Sequence, residues 1–207
     1  VYGRVATLPY QETMPKGDCT TPHAWTHFMM EMIVEDVCIS NPRMSAMNLR
    51  IFSPEGYHAS GLLGETPDAI HNTILYHICM AAAGQKPMTV YGVGYPTPDG
   101  TCMRDFFHVS DLGKGIVKAC EYVDTHTGCS TFNMGSGKAL SVLDLISVFE
   151  KVNGVPVDKI VGSMRGGDLP IVRADMNRTK SILQWEATTP IEDICRNAWS
   201  WYQKHCV

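Results

Sequence analysis

"VYGVGYPTPDGTCMRDFFHVSDLGKG", residues 90–115, decides how the rest of the chain is read. It opens at the end of an apolar segment, "MTVYG" (88–92), with the short β-branched and aromatic character of a strand. A turn-rich "GYPTPDG" (94–100) follows, and then Arg104 and Asp105 stand directly before an aromatic run. Ser110 is placed to cap a helix predicted over 111–123. Downstream the same order returns: "STFNMGSG" (130–137) reads as a strand running into a glycine turn, and Ser141 can cap a helix to about residue 153. Recurring strand, glycine turn and helix predict an α/β fold.

Toward the N-terminus the pattern is helical. After a loop-like lead containing Pro9, Pro15 and Gly17, Thr20 or Thr21 can cap a helix whose first position is Pro22. Phe28, Met29, Met32, Ile33 and Val37 recur at helical spacing and predict one buried face. "AMNLRIF" (46–52) predicts a buried strand, ended by Pro54 and Gly56, with a long polar loop to about Pro67. Helices are predicted over 69–83, around 177–184 and over 190–204, and a strand near 157–161. In the last helix, Trp199 and Trp201 are expected to divide into one core and one half-exposed residue.

Composition narrows the function classes. The chain has 207 residues, 44% hydrophobic and 18% charged, enough for a real core in one domain or two small ones. A net charge of -4 without a basic stripe argues against nucleic acid and anionic membranes as partners. No apolar run approaches the roughly 18 residues of a membrane span, and "VYGRVATLPYQE" lacks the order of a signal peptide. Eight scattered cysteines form neither a C-x-x-C nor a zinc pattern, so a reducing intracellular compartment, cytoplasmic by default, is expected.

Each chemical motif is ambiguous by itself. Arg104 can bind phosphate bidentately or form a structural pair with Asp105. "GSGKALS" (135–141) reads as a turn leading into a helix rather than a phosphate cradle. Arg165 and Asp168, in "MRGGDLP", lie in a glycine loop that a ligand can approach closely. His23, His27 and Glu31 fall at i, i+4 and i+8 and could share a helix face. A metal is not expected there, because Glu31 lies two turns away from His23 and spacing indicates no other Cys or His.

Taken together, these stretches resemble the UDP-glucose/UDP-galactose 4-epimerases of the extended short-chain dehydrogenase/reductase family. The resemblance is carried by the opening "VYG", "LRIFSPEGYHASGLLGETPD" (49–68), residues 90–115, "FNMGSGKALSVLDL" (132–145) and "RGGDLP" (165–170). It implies the end of a Rossmann-type parallel sheet, with residues 1–52 as a remnant of the NAD-binding domain. Residues 53–207 would interleave elements of the smaller UDP-sugar-binding domain with the last strands and helices packed on the Rossmann part. The family's reaction takes hydride from the sugar C4 to NAD and returns it to the other face, which needs a general base at the C4 hydroxyl.

Three departures from the family pattern shape the functional expectation. The strand, glycine turn and helix that grip the dinucleotide would precede Val1, so no cofactor is expected for this chain alone. The family's catalytic Tyr and Lys align with His23 and His27 in "PHAWTH" (22–27), so no intact catalytic set is expected. A histidine can act as a base near neutral pH, but His27 is too short to replace the lysine's reach to the cofactor ribose. Among substrate positions, Arg104, Arg165, Asp168 and Asn72 match, while Ser53, Thr73 and Val172 replace family side chains, as Ile51 replaces a tyrosine. The resemblance therefore implies a degenerate relative acting as a structural or interaction subunit, with residual UDP-sugar binding. A partner protein or a preceding segment would cover the truncated sheet. The alternative is an active epimerase whose NAD-binding half is missing from this sequence.

Overall fold

The computed structural model describes residues 1–4, 7–65 and 73–207. In chain order its elements are α1 (Pro22–Ser40), β1 (Ser45–Ile51), β2 (Ser53–Glu55), α2 (Ile74–Ala82), β3 (Met88–Tyr91), β4 (Met103–Arg104) and β5 (Phe106–His108). They continue with α3 (Val109–Val123), β6 (Gly128–Met134), β7 (Leu140–Ser141), α4 (Val142–Asn153), β8 (Lys159–Gly162), α5 (Asn177–Leu183) and α6 (Ile191–His205). Three strand pairs are parallel: β1 with β6, β2 with β5, and β3 with β8. The short β4 and β7 pair antiparallel. Parallel pairs require crossovers, and α3 lies in the chain between β1 and β6, as an α/β fold demands.

Two apolar centres hold these pieces. One gathers Leu75 and Ile78 from α2, Leu145, Ile146 and Phe149 from α4, and Ile194 and Tyr202 from α6. The other places Phe107, Phe132 and Met134 against Leu183 and Trp185. Trp201 is buried and Trp199 half-buried, as their place in an amphipathic last helix predicts. Caps follow the sequence at α1, where Thr21 Oγ1 accepts from the Ala24 amide at 3.2 Å, and at α4, where Ser141 Oγ accepts from Asp144 at 3.0 Å.

Several expectations need correction. Ser110 does not cap α3; His108 does, its Nδ1 accepting from the Ser110 amide at 2.9 Å, so the helix starts two residues earlier than the hydroxyl suggested. The stretch taken as loop after Phe52 contains β2, because Ser53–Glu55 find a parallel partner in β5 that local composition cannot show. The strand near 157–161 lies at Lys159–Gly162. The first part of the helix predicted over 69–83 lies outside the described residues, as does Asn72.

The largest difference concerns α1. Its apolar face is not buried: Met29, Met32, Ile33 and Val37 are exposed, Ile33 by 61%, and Phe28 is half-buried. Helical spacing identifies an apolar stripe but not its cover, and α1 turns a different side to β1 and β6. Its buried residues are Glu31 and Cys38. Glu31 is tolerated there because Arg50 of β1 meets it bidentately, Nε to Oε1 at 2.9 Å and Nη2 to Oε2 at 2.8 Å. Burial pushes the Glu31 carboxyl up, but Arg50 and Lys16 more than offset this and hold it below the usual range. The expected buried strand β1, paired only with β6 among the described residues, is mostly half-buried and Ile51 is exposed.

Candidate functional site

Within the stretch 90–115, Asp105 and Asp111 are committed to hydrogen bonds inside the fold. Arg104 and Asp105, read as a candidate ion pair, turn apart. Asp105 is fully buried and accepts from the Ser136 amide at 2.7 Å, the Ser136 hydroxyl at 2.6 Å, the Gly137 amide at 3.1 Å and the Ala174 amide at 3.0 Å. The glycine turn before α4 is thus folded around a carboxylate, which occupies the amides that a phosphate would need. Gly135 is required by this closeness, since a Cβ there would lie 2.9 Å from Asp105 Oδ2. Asp111, also buried, accepts from the Thr188 and Thr189 amides at 3.0 and 2.8 Å and so fastens the approach to α6 onto α3.

Arg104 lies between two clefts. Its Nη1 donates to the carbonyls of Met103 at 2.9 Å and Leu169 at 2.8 Å, and its Nη2 stands 3.6 Å from Asp168. The first cleft, about 730 Å³, includes His23, His27, Arg50, Ile51, Ser53, Arg104 and Val172 in its wall. The second, about 580 Å³, includes Ser53, Glu55, Arg104, Arg165 and Asp168. Ser53 and Arg104 belong to both, so the clefts adjoin there. The structure therefore brings Arg104, Arg165 and Asp168 together, with Ser53 at the junction. Thr73 lines a smaller cavity of about 340 Å³ beside Glu55, apart from Arg165 and Asp168.

In the second cleft the Arg165 guanidinium lies over the Tyr91 ring, 3.6 Å from its centroid. Stacking holds an otherwise exposed arginine near Asp168 while leaving its N–H donors able to reach a bound anion. Sequence reading missed Tyr91 in this role; an aromatic ending a strand before a glycine turn gives no sign of a partner 74 residues downstream. It also missed Glu55, only 7% exposed, whose Oε2 accepts from the Leu75 amide at 3.4 Å. Burial raises the Glu55 carboxyl to about 8, against the amides of Leu75 and Ile74.

In the first cleft His23 and His27 meet each other. Their Nε2 atoms are 3.2 Å apart, one donating and one accepting, with the rings edge to face at 4.6 Å. Both side chains are exposed. Glu31, one turn on, is engaged by Arg50 and by Lys16 at 3.5 Å and does not join them. Arg50 itself carries a buried Nη1 without a hydrogen-bond partner among the described residues and lies 4.5 Å from the Tyr2 ring.

The profile of the NAD dependent epimerase/dehydratase family matches residues 1–135. This chain belongs to that family. It is 42% identical over 202 residues to a UDP-glucose 4-epimerase of Neisseria meningitidis serogroup B, covering 97% of this chain and 60% of that protein. The UDP-glucose 4-epimerase of Drosophila melanogaster is 37% identical over 208 residues, with 99% and 59% covered. Among solved structures, the UDP-glucose 4-epimerase of Bifidobacterium longum in complex with NAD+ and UDP superposes with a TM-score of 0.94 at 36% identity, covering 99% of this chain and 61% of that one. The enzyme from Stenotrophomonas maltophila, with NAD and formylated UDP-arabinopyranose, gives 0.93 at 34% identity, with 99% and 61% covered. The epimerase-like chain thus has the Rossmann-type fold of the extended short-chain dehydrogenases and spans about 60% of the length of these relatives.

The glycine turn after β6 has the amides of Ser136 and Gly137 taken by Asp105, and the first cleft's wall holds the imidazoles of His23 and His27. Among the described residues no helix is long and apolar enough to cross a membrane.

Proposed function

We propose that this epimerase-like chain does not catalyse epimerisation by itself and serves as a structural or interaction subunit that keeps a UDP-sugar cleft. The observation that carries this reading is the contact between Nε2 of His23 and Nε2 of His27 at 3.2 Å. In the family pattern a lysine ammonium at the second position lowers the pKa of the phenol at the first and reaches the cofactor ribose. Two imidazoles bonded to each other present neither the long cationic arm nor the phenolic oxygen. The neighbouring cleft supports retained nucleotide binding, because Arg104, Arg165 and Asp168 still converge there.

A role within a larger assembly is supported by α1, whose Met29, Ile33 and Ile39 are 51%, 61% and 77% exposed. A Rossmann half, either preceding this segment or carried by a partner chain, is the cover the relatives' greater length suggests. The same difference in length favours the second reading: a longer protein, of which this is a part, that binds NAD and epimerises UDP-glucose and UDP-galactose.

The deciding assay is conversion of UDP-galactose to UDP-glucose with added NAD, on this chain and on the longest product of its gene. No turnover above the uncatalysed background is expected from either. Robust turnover by the longer product would overturn the first reading in favour of the second. Restoring the family pair with His23→Tyr and His27→Lys in that longer product is expected to raise activity if the two imidazoles are the defect.

A further inference from the structure

We propose that His23 and His27 form a two-histidine clamp for a late first-row divalent transition metal, on the wall of the first cleft. The argument is geometric and independent of whether the chain ever epimerised a sugar. Residues four apart stack one above the other on a helix, and here both imidazoles turn their Nε2 atoms inward to 3.2 Å. Zinc binds imidazole nitrogen at about 2.0–2.1 Å. Two such bonds to nitrogens 3.2 Å apart enclose an angle of roughly 100–106°, between the right angle of an octahedral or square site and the tetrahedral value. The distance now spanned by a hydrogen bond is therefore the edge of a metal coordination polyhedron. Small rotations of the two edge-to-face rings, which aim both lone pairs at one point, complete it.

The surroundings set the site's character. Sequence spacing argued against a metal because a third ligand was missing. Among the described residues no group of three or more His, Cys, Asp or Glu side chains converges on an ion, and Glu31 is committed to Arg50 and Lys16. The clamp thus supplies two nitrogens and no carboxylate, leaving its other positions to water in an open cleft of about 730 Å³. Nitrogen-only ligation selects Cu2+, Ni2+ and Zn2+ over Mg2+ and Ca2+, which demand oxygen. Two ligands give weaker binding than a closed structural zinc site, with Cu2+ tightest. Because the clamp ties positions one turn apart at the start of α1, metal binding also stabilises the folded chain in proportion to ligand excess.

The test is calorimetric titration of the whole chain with Zn2+ and Ni2+, paired with thermal melts and a Cu2+ electron paramagnetic resonance spectrum. The expected result is a site at which each ion binds at least tenfold more weakly in His23→Ala and in His27→Ala, with no comparable effect of His126→Ala. The Cu2+ spectrum should show coupling to two equivalent nitrogens in the native chain and to one in either single variant. Mg2+ and Ca2+ should give no heat that depends on the pair. The proposal is overturned if the double variant His23→Ala, His27→Ala binds Zn2+ and Ni2+ within twofold of the native chain. It is equally overturned if the native chain shows no metal-dependent heat or rise in melting temperature at submillimolar ion.

Discussion

The two clefts that share Ser53 and Arg104 differ in what their side chains do for the fold. In the second cleft, Arg104 donates to the Leu169 and Met103 carbonyls, and Arg165 stacks on Tyr91. Those residues have structural partners whether or not a ligand is bound. In the first, His23 and His27 are exposed and touch each other; their loss would leave no buried group unpaired. A residue needed only for chemistry can change freely once the chemistry is dispensable, whereas one that also satisfies buried backbone groups resists change. On the proposed reading Arg104 and Arg165 have two reasons to persist, and the positions of His23 and His27 had only one.

Substitutions sharpen or break this contrast, beginning with the largest effect. Asp105→Ala strands the Ser136, Gly137 and Ala174 amides behind a buried wall, at an expected cost of about 3 kcal/mol or more. Urea unfolding measures it; a loss below about 1 kcal/mol would show that the turn stands without its carboxylate. Arg50→Ala should follow closely, since it leaves Glu31 buried and held only by Lys16, and a buried charge robbed of its partner costs about 3–5 kcal/mol.

Glu55, shared by the second cleft and the smaller cavity beside it, offers a pH test. Its folded-state value of about 8 exceeds the ordinary 4.5, so the folded chain holds a proton that the unfolded chain releases across that window. The protonated form favours folding below about 4.5, and this contribution is lost as pH rises toward about 8. Between those limits Glu55→Gln should gain stability relative to the native chain by up to about 1.4 kcal/mol per pH unit, with no further change above. Parallel stability curves for the two proteins across that window would contradict the assignment. The smallest effect is expected in the first cleft: His23→Ala and His27→Ala, without added metal, should each alter stability by no more than about 0.5 kcal/mol.

Much of this contrast was legible in the sequence, and its limits have physical causes. The 90–115 stretch gave the α/β order and the family because turns, caps and strand ends are local signals. Its Asp105 and Asp111 were read as neighbours of Arg104 or passed over, because their partners lie 31 to 78 residues away. Periodicity marked the apolar stripe of α1 correctly but could not say that the helix turns Glu31 and Cys38 inward, since a buried charge is decided by the opposing Arg50. Glu55 escaped notice because a glutamate between a proline and a glycine looks like solvent-facing loop, and only the pairing of β2 with β5 places it inside.

The central claim, that nucleotide recognition persists beside a vacated catalytic pair, is tested most directly by calorimetric titration with UDP. The native chain should bind, Arg165→Ala should lose at least tenfold in affinity, and His23→Ala should match the native chain within twofold. An absence of heat at millimolar UDP, or binding that survives Arg165→Ala but fails in His23→Ala, would contradict it.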